Sequence, residues 1–243
     1  DGAATIFVAT PEGPATRVAL SDDYLYLRPH WSHDGRAILA IRARRREDGT
    51  GAQQALRIAW PAGTVEVLES LGDRVSDVRE ADGGRQWIVG EQSANAVRLL
   101  RVDPLTPGAS ERLPLPLVSE FQVHGNLLAF TQPELEGITL CTLPALQCEP
   151  LRVPIAEHNR FDWVLTANAL WYRAGTTPDA LVRYDFAQRA VTWRSAFAPT
   201  AFGRSFAVRP DGRVLLVARE GPLAIDLMLA PRVIRKAQPV AHK

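Results

Sequence analysis

Short apolar runs, each bounded by turn-forming residues, recur along this chain at an almost constant interval. They are Ala37–Ile41, Gln86–Val89, Leu127–Phe130, Ala169–Tyr172 and Val214–Val217. Runs of four or five residues between Gly, Asn, Asp and Pro are too short for helices and read as buried strands. A tight turn precedes each run: Asp34-Gly35, Asp82-Gly83, Gly125-Asn126, Ala167-Asn168 and Asp211-Gly212. Gly and Asn tolerate the positive φ that short hairpin turns demand. Three or four places before each turn stands one apolar residue: Trp31, Val78, Phe121, Trp163 and Val208. Successive turns are 48, 43, 42 and 44 residues apart. A further strand begins near Thr5, Leu56, Arg98, Ile138, Leu181 and Leu223.

A strand-based repeat of this period predicts an all-β propeller of four-stranded antiparallel blades. Residues 24–237 hold five complete blades in this register. Residues 1–20, through 5–10 and 16–20, supply only the outer two strands of another. The whole chain, 1–243, then reads as a single propeller domain from the C-terminal part of a longer protein. The missing inner strands would lie upstream of Asp1, and six blades is the simplest closure, because a half-blade leaves an open sheet edge. The competing reading is a trimmed five-blade domain. Trp31, the large apolar member of the best-preserved repeat, is expected to pack between neighbouring blades.

Composition fits such a domain. Hydrophobic residues make up 46% and charged residues 23% of the chain, with 18 Pro and 17 Gly for its many turns. No run approaches the length of a membrane-spanning helix. The formal net charge is +1, which gives no field to recruit nucleic acid or anionic lipid. Arg outnumbers Lys 26 to 2, a bias that codon usage in a GC-rich genome explains as well as phosphate binding does. The one basic run, Arg42-Ala43-Arg44-Arg45-Arg46, reads as a solvated connection before Gln53.

Two cysteines bear on compartment. Cys141 and Cys148 bracket a predicted hairpin whose loop is Leu143–Leu146. Thr142 then faces Gln147, and the cysteines face each other one step further out, within reach of a disulfide. Such a bridge argues for an oxidising compartment; the alternative is two free thiols in the cytoplasm. The histidines His30, His33, His124, His158 and His242 show no ligand spacing with the cysteines, so neither a metal site nor a cofactor is expected.

No catalytic constellation stands out. Gly203-Arg204-Ser205-Phe206-Ala207 lacks the second Gly of a nucleophile elbow. Asp22, Asp23, Asp77, Glu80 and Asp82 read as turn and strand-edge residues, and Gly49, Gly51, Gly83 and Gly84 as turn glycines. His30, Arg79, His124 and Asp162 fall on predicted inner strands. They are the candidate ligand-binding residues at one mouth of a central channel, although they could equally satisfy one another and ordered water there.

The segment Pro29-His30-Trp31-Ser32-His33-Asp34-Gly35-Arg36-Ala37-Ile38 resembles the P-x-W-S-P-D-G-x-x-I repeat of TolB-like propellers, with His33 in place of the second Pro. Arg209-Pro210-Asp211-Gly212 matches the end of that motif, and the other three copies keep only the period. The resemblance implies a six-bladed propeller. Family modules occur in the periplasmic protein TolB, as gates on prolyl-oligopeptidase-like peptidases, and as periplasmic sensor regions of CadC-like transcriptional regulators. Those regulators carry a winged-helix DNA-binding domain in the cytoplasm and one membrane helix upstream. The degenerate repeats, the Arg- and Ala-rich composition and the chain end resemble the regulators most. The resemblance thus implies a non-catalytic sensor or protein-binding region in the periplasm of a Gram-negative bacterium. It would be anchored to the membrane only by an upstream segment. It would bind a protein partner or small ligand at its rim, with no direct contact to nucleic acid. The alternatives are an envelope scaffold of the TolB kind without a DNA-binding domain, and the gating propeller of a peptidase.

Overall fold

The computed structural model describes residues 6–8, 16–18, 20–21, 23–44, 51–106, 108–133, 135–155, 162–174, 180–195, 206–208, 215–220 and 225–230. These form two compact units, Asp1–Val118 and Ser119–Lys243. All the regular structure among them is β, apart from two single 3-10 turns, Glu69–Leu71 and Asp82–Gly84. No helix among the described residues is long and apolar enough to cross a membrane.

The first unit holds three antiparallel sheets. Sheet 1 pairs β1 (Phe7–Val8) with β2 (Thr16–Arg17). Sheet 2 runs β3 (Tyr24–Trp31), β4 (Ala37–Arg44), β5 (Gln53–Ala59) and β6 (Val65–Val67). Sheet 3 runs β7 (Val75–Ala81), β8 (Gln86–Ser93), β9 (Ala96–Val102) and β10 (Ser110–Arg112). The second unit repeats the pattern. Sheet 4 is β11 (Glu120–His124), β12 (Leu127–Gln132), β13 (Leu135–Thr142) and β14 (Gln147–Leu151). Sheet 5 is β15 (Trp163–Leu165), β16 (Ala169–Ala174), β17 (Ala180–Asp185) and β18 (Ala190–Arg194). Sheet 6 has three described strands, β19 (Phe206–Val208), β20 (Leu215–Glu220) and β21 (Ile225–Ala230). Four complete four-stranded blades are therefore present. The fourth strand expected of the last blade falls in 231–237, outside the described residues.

Burial explains the order within each blade. The second strand is mostly apolar and is buried on both faces: Ala37 to Ile41, Trp87 to Gly90, Leu128 to Thr131 and Ala169 to Ala174 are all buried. The fourth strands β6, β10 and β18, and most of β14, are half-buried or exposed. Faces then stack in sequence. Leu39, Ile41 and Ala55 of sheet 2 pack on Val75, Val78, Trp87 and Val89 of sheet 3. In the second unit Ala129, Ile138 and Leu140 pack on Trp163, Leu165, Leu170 and Tyr172. Each large side chain buried this way contributes roughly 1.5–3 kcal/mol.

Trp31 departs from the expectation. Register pairs it with Ile38, which lies in the cluster facing sheet 1 together with Ile6, Val18, Tyr26 and Leu56. Trp31 therefore points toward the preceding sheet, as Val78 and Trp163 do. Yet it is 46% exposed, against 2% for Trp163. Val78 and Trp163 belong to clusters that include the second strand of the sheet before them, whereas Trp31 stands outside the cluster that Ile6 and Val18 form with Tyr26, Ile38, Ala40, Leu56 and Ile58. The basic run is a second correction. Arg42 to Arg44 lie inside β4, not in a connection. Arg42 donates to Gln54 Oε1 across the ladder, and its guanidinium sits 4.6 Å over the Tyr24 ring. Residues 45–50 lie outside the described residues.

The hairpin of sheet 4 is as expected. Thr142 pairs with Gln147 and Cys141 with Cys148, and the two cysteines form a disulfide with their Cα atoms 4.0 Å apart.

Candidate functional site

The innermost strands carry the polar side chains that composition alone left unassigned. Asp77 on β7 is fully buried, which corrects its reading as a strand-edge residue. Its Oδ1 accepts the amide N–H of Val78 at 2.9 Å. Its Oδ2 accepts from Arg79, Nε at 3.1 Å and Nη2 at 2.9 Å, and from Arg28 Nη1 on β3 at 3.3 Å. Arg28 occupies a bulge in β3 and has φ of 53°. An extra residue at that point turns the strand and aims Arg28 at the next sheet. The ring of His30 donates from Nδ1 to Arg28 O at 3.3 Å. His30 and Arg79, two of the four candidates, thus belong to one chain of contacts, His30–Arg28–Asp77–Arg79, running from sheet 2 to sheet 3.

The other two candidates lie in the second unit. Asp162 is buried just before β15; its carboxylate sits 3.9 Å from Arg173 Nη1, and its carbonyl accepts Arg173 N–H at 3.1 Å. His124 ends β11 and is half-buried.

A regularity ties these positions together. Asp77 precedes Val78, Glu120 precedes Phe121 and Asp162 precedes Trp163, so each carboxylate comes one place before the apolar anchor of its blade. All three are buried. Glu120 is not among the residues that the sequence singles out, which on this strand are Phe121 and His124. The acid-then-anchor pair was visible in the sequence, but nothing there showed it to be buried. The remaining carboxylates do separate jobs. Glu80 accepts the amide N–H of His33, joining the turn of sheet 2 to β7. Asp82 starts a tight turn in which Asp82, Gly83 and Gly84 all have positive φ, the reason two glycines stand there.

The turn of the best-preserved repeat is held by side chains. Ser32 Oγ donates to Asp34 Oδ1 at 2.7 Å and accepts Ala37 N–H at 2.9 Å, while Arg36 N–H donates to Asp34 at 3.0 Å. The backbone bond from Arg36, then the Ser32 hydroxyl, hold the Asp34 carboxyl below its ordinary value. Sheet 5 repeats the device with Thr166 donating to Ala169 O at 2.9 Å. Of the nucleophile-elbow residues, Phe206 and Ala207 lie on β19, and Gly203 to Ser205 fall outside the described residues. Among the described residues no group of three or more His, Cys, Asp or Glu is arranged to hold a metal ion.

Comparison with solved structures settles the architecture. TolB from Acinetobacter baumannii superposes with a TM-score of 0.72 at 16% identity, covering 93% of this chain and 57% of TolB. The chain has a TolB-like β-propeller fold. A puromycin-hydrolyzing peptidase of Mycobacterium tuberculosis is similar at a TM-score of 0.62 and 12% identity, over 96% of this chain and 44% of the peptidase. An oligogalacturonate lyase in complex with manganese is similar at 0.55 and 12%, over 85% of this chain and 62% of the lyase. The chain thus spans less than two thirds of each of these three proteins. At such identities the likeness concerns fold alone. No protein-family model matches the sequence, and no curated protein matches it significantly.

Proposed function

We propose that this chain is a non-catalytic, protein-binding propeller of the bacterial envelope, serving as the periplasmic sensor region of a membrane-anchored transcriptional regulator. The ring is six-bladed in this reading, with the inner strands of sheet 1 supplied from upstream of Asp1. The observation that carries binding over catalysis is the state of the innermost polar residues. Asp77 is held by two arginines and a backbone amide, and Asp162 lies against Arg173, so these carboxylates order the inner strands rather than stand ready for proton transfer. The disulfide between Cys141 and Cys148 supports an exported location. The degenerate repeats and the Arg- and Ala-rich composition support the regulator. His30 and Arg79 in the first unit and, separately, the half-buried His124 in the second are the proposed ligand contacts.

Deleting residues 24–237 from the intact protein is the test. DNA binding by the upstream domain is expected to survive and the envelope response to vanish; a strain that still responds normally rules the sensor role out. The gating propeller of a peptidase is the second reading, favoured by the likeness to the puromycin-hydrolyzing enzyme. It requires an α/β-hydrolase domain in the same polypeptide.

A further inference from the structure

One edge of the Arg79 guanidinium is committed and the other is not. A guanidinium carries five N–H donors, spread over Nε and the two Nη atoms. Asp77 Oδ2 takes the side edge of Arg79, through Nε at 3.1 Å and Nη2 at 2.9 Å. Arg79 Nη1 makes no hydrogen bond among the described residues and is not buried. The side chain keeps 14% of its surface. The end-on fork, one N–H from each Nη atom, is therefore open to a ligand.

Its surroundings set this guanidinium apart from an arginine on the surface. Asp77 is fully buried and fixes the fork in one orientation, so little rotamer freedom is left to lose on binding. The charge of Asp77 is also divided. Oδ1 accepts Val78 N–H, and Oδ2 accepts Arg28 Nη1 as well as Arg79. One negative charge shared among these donors neutralises Arg79 incompletely. Arg28 reaches Asp77 from a bulge in β3 with φ of 53°, a backbone conformation that costs a side-chain-bearing residue energy and is found most at functional positions. Glu80, the next residue of β7, does not compete. Alternation along the strand turns it away from Arg79, and it accepts His33 N–H.

We propose that Arg79 anchors a carboxylate-binding site on the innermost strand of sheet 3, with its fork held in place by Asp77. The proposal rests on the reading of His30 and Arg79 as ligand contacts and adds the chemical class of the ligand, a small organic molecule bearing a carboxylate. The two oxygens of a carboxylate match two parallel N–H groups of one fork. Phosphate presents more oxygens, and up to two charges, than one fork satisfies.

Propionate is the probe, propionamide its uncharged isostere, and saturation-transfer NMR on the intact protein the readout. Propionate is expected to bind about tenfold more tightly than propionamide, as a charge-assisted pair does against a neutral one. Arg79→Gln is expected to remove that preference. Arg79→Lys keeps the charge, loses the fork and is expected to fall between the two. Arg101→Gln, at an exposed pair on β9, is expected to bind propionate as the parent does. Arg28 still partners Asp77 in the Arg79 variants; should Arg79→Gln fail to fold by circular dichroism, Arg79→Lys and the comparison of the two probes in the parent decide. Equal binding of propionate and propionamide overturns the site, as does propionate binding unchanged in Arg79→Gln. Displacement of propionate by inorganic phosphate at lower concentration than by acetate assigns the fork to phosphate and overturns the carboxylate. Absence of any propionate signal overturns the site and leaves the sensor role standing. A strain lacking residues 24–237 that still responds overturns the sensor role and leaves this site standing.

Discussion

Gln122 on β11 ties sheet 4 to Trp163 on the first strand of sheet 5. Its Nε2 donates to Trp163 O, and its Oε1 accepts Leu165 N–H at 3.0 Å. One side-chain amide thereby satisfies a backbone acceptor and a backbone donor that the edge of β15 leaves unpaired within its own sheet.

Removing that amide strands two partly buried backbone groups. Gln122→Ala is expected to cost about 1–3 kcal/mol, the penalty of leaving a buried polar group unsatisfied. Gln122→Glu keeps the acceptor and loses the donor, so its cost is expected to be intermediate at most. Urea denaturation of the two variants checks both; a midpoint unchanged in Gln122→Ala means the bridge does not hold the sheets together.

Asp77→Ala leaves Arg28 and Arg79 without their shared carboxylate. Breaking a buried pair costs about 3–5 kcal/mol, and the low end is expected here because Arg28 keeps 29% of its side-chain surface. The exposed pair Arg101–Glu111 provides the contrast: Glu111→Ala is expected to shift stability by less than about 1 kcal/mol. Equal effects from the two variants would contradict the burial of Asp77.

The disulfide closes a short hairpin, so its stabilisation is modest, about 2–3 kcal/mol in the chain-entropy account. Exported protein is expected to give a Cys141–Cys148 peptide in non-reducing mass mapping. The Cys148→Ser variant is expected to unfold at correspondingly lower urea. Recovery of free thiols from such material would remove the main support for an oxidising compartment.

Asp34 makes a pH-dependent contribution whose sign follows from its lowered folded value. A depressed carboxylate stabilises the fold above its unfolded value, near 3.8, and that contribution is lost as pH falls through the lower folded value. Carboxyl titration by NMR is expected to place Asp34 below 3.8, and Asp34→Asn to remove this part of the acid dependence. A midpoint at or above the ordinary value would mean the turn amide of Arg36 does not bind the carboxylate.

The blades were legible because their signals are local. A short apolar run behind a tight turn needs no distant partner, so β4, β8, β12 and β16 fall where the sequence places them; Gly35, Gly83 and Gly125 take the positive φ expected of the first three turns, whereas Ala167 and Asn168 form the fourth without it. The pairing of Cys141 with Cys148 was legible for the same reason: a four-residue loop fixes the register, and register fixes which side chains meet. The site was less so. His30, Arg79, His124 and Asp162 were placed near inner strands, but Asp77 looked like an ordinary strand-edge carboxylate and Glu120 drew no notice. Asp77 is held by Arg28 of the neighbouring sheet, 49 residues away in sequence, a contact that no local pattern encodes.

Sequence by itself determined the period, the strand order within a blade and the place of each anchor on its strand, because alternation along a strand and turn length are properties of adjacent residues. Tertiary structure decided which of those anchors are covered. Trp31 and Trp163 hold equivalent places and differ in exposure because burial belongs to the pair of surfaces in contact, and only Trp163 has the second strand of a preceding sheet above it.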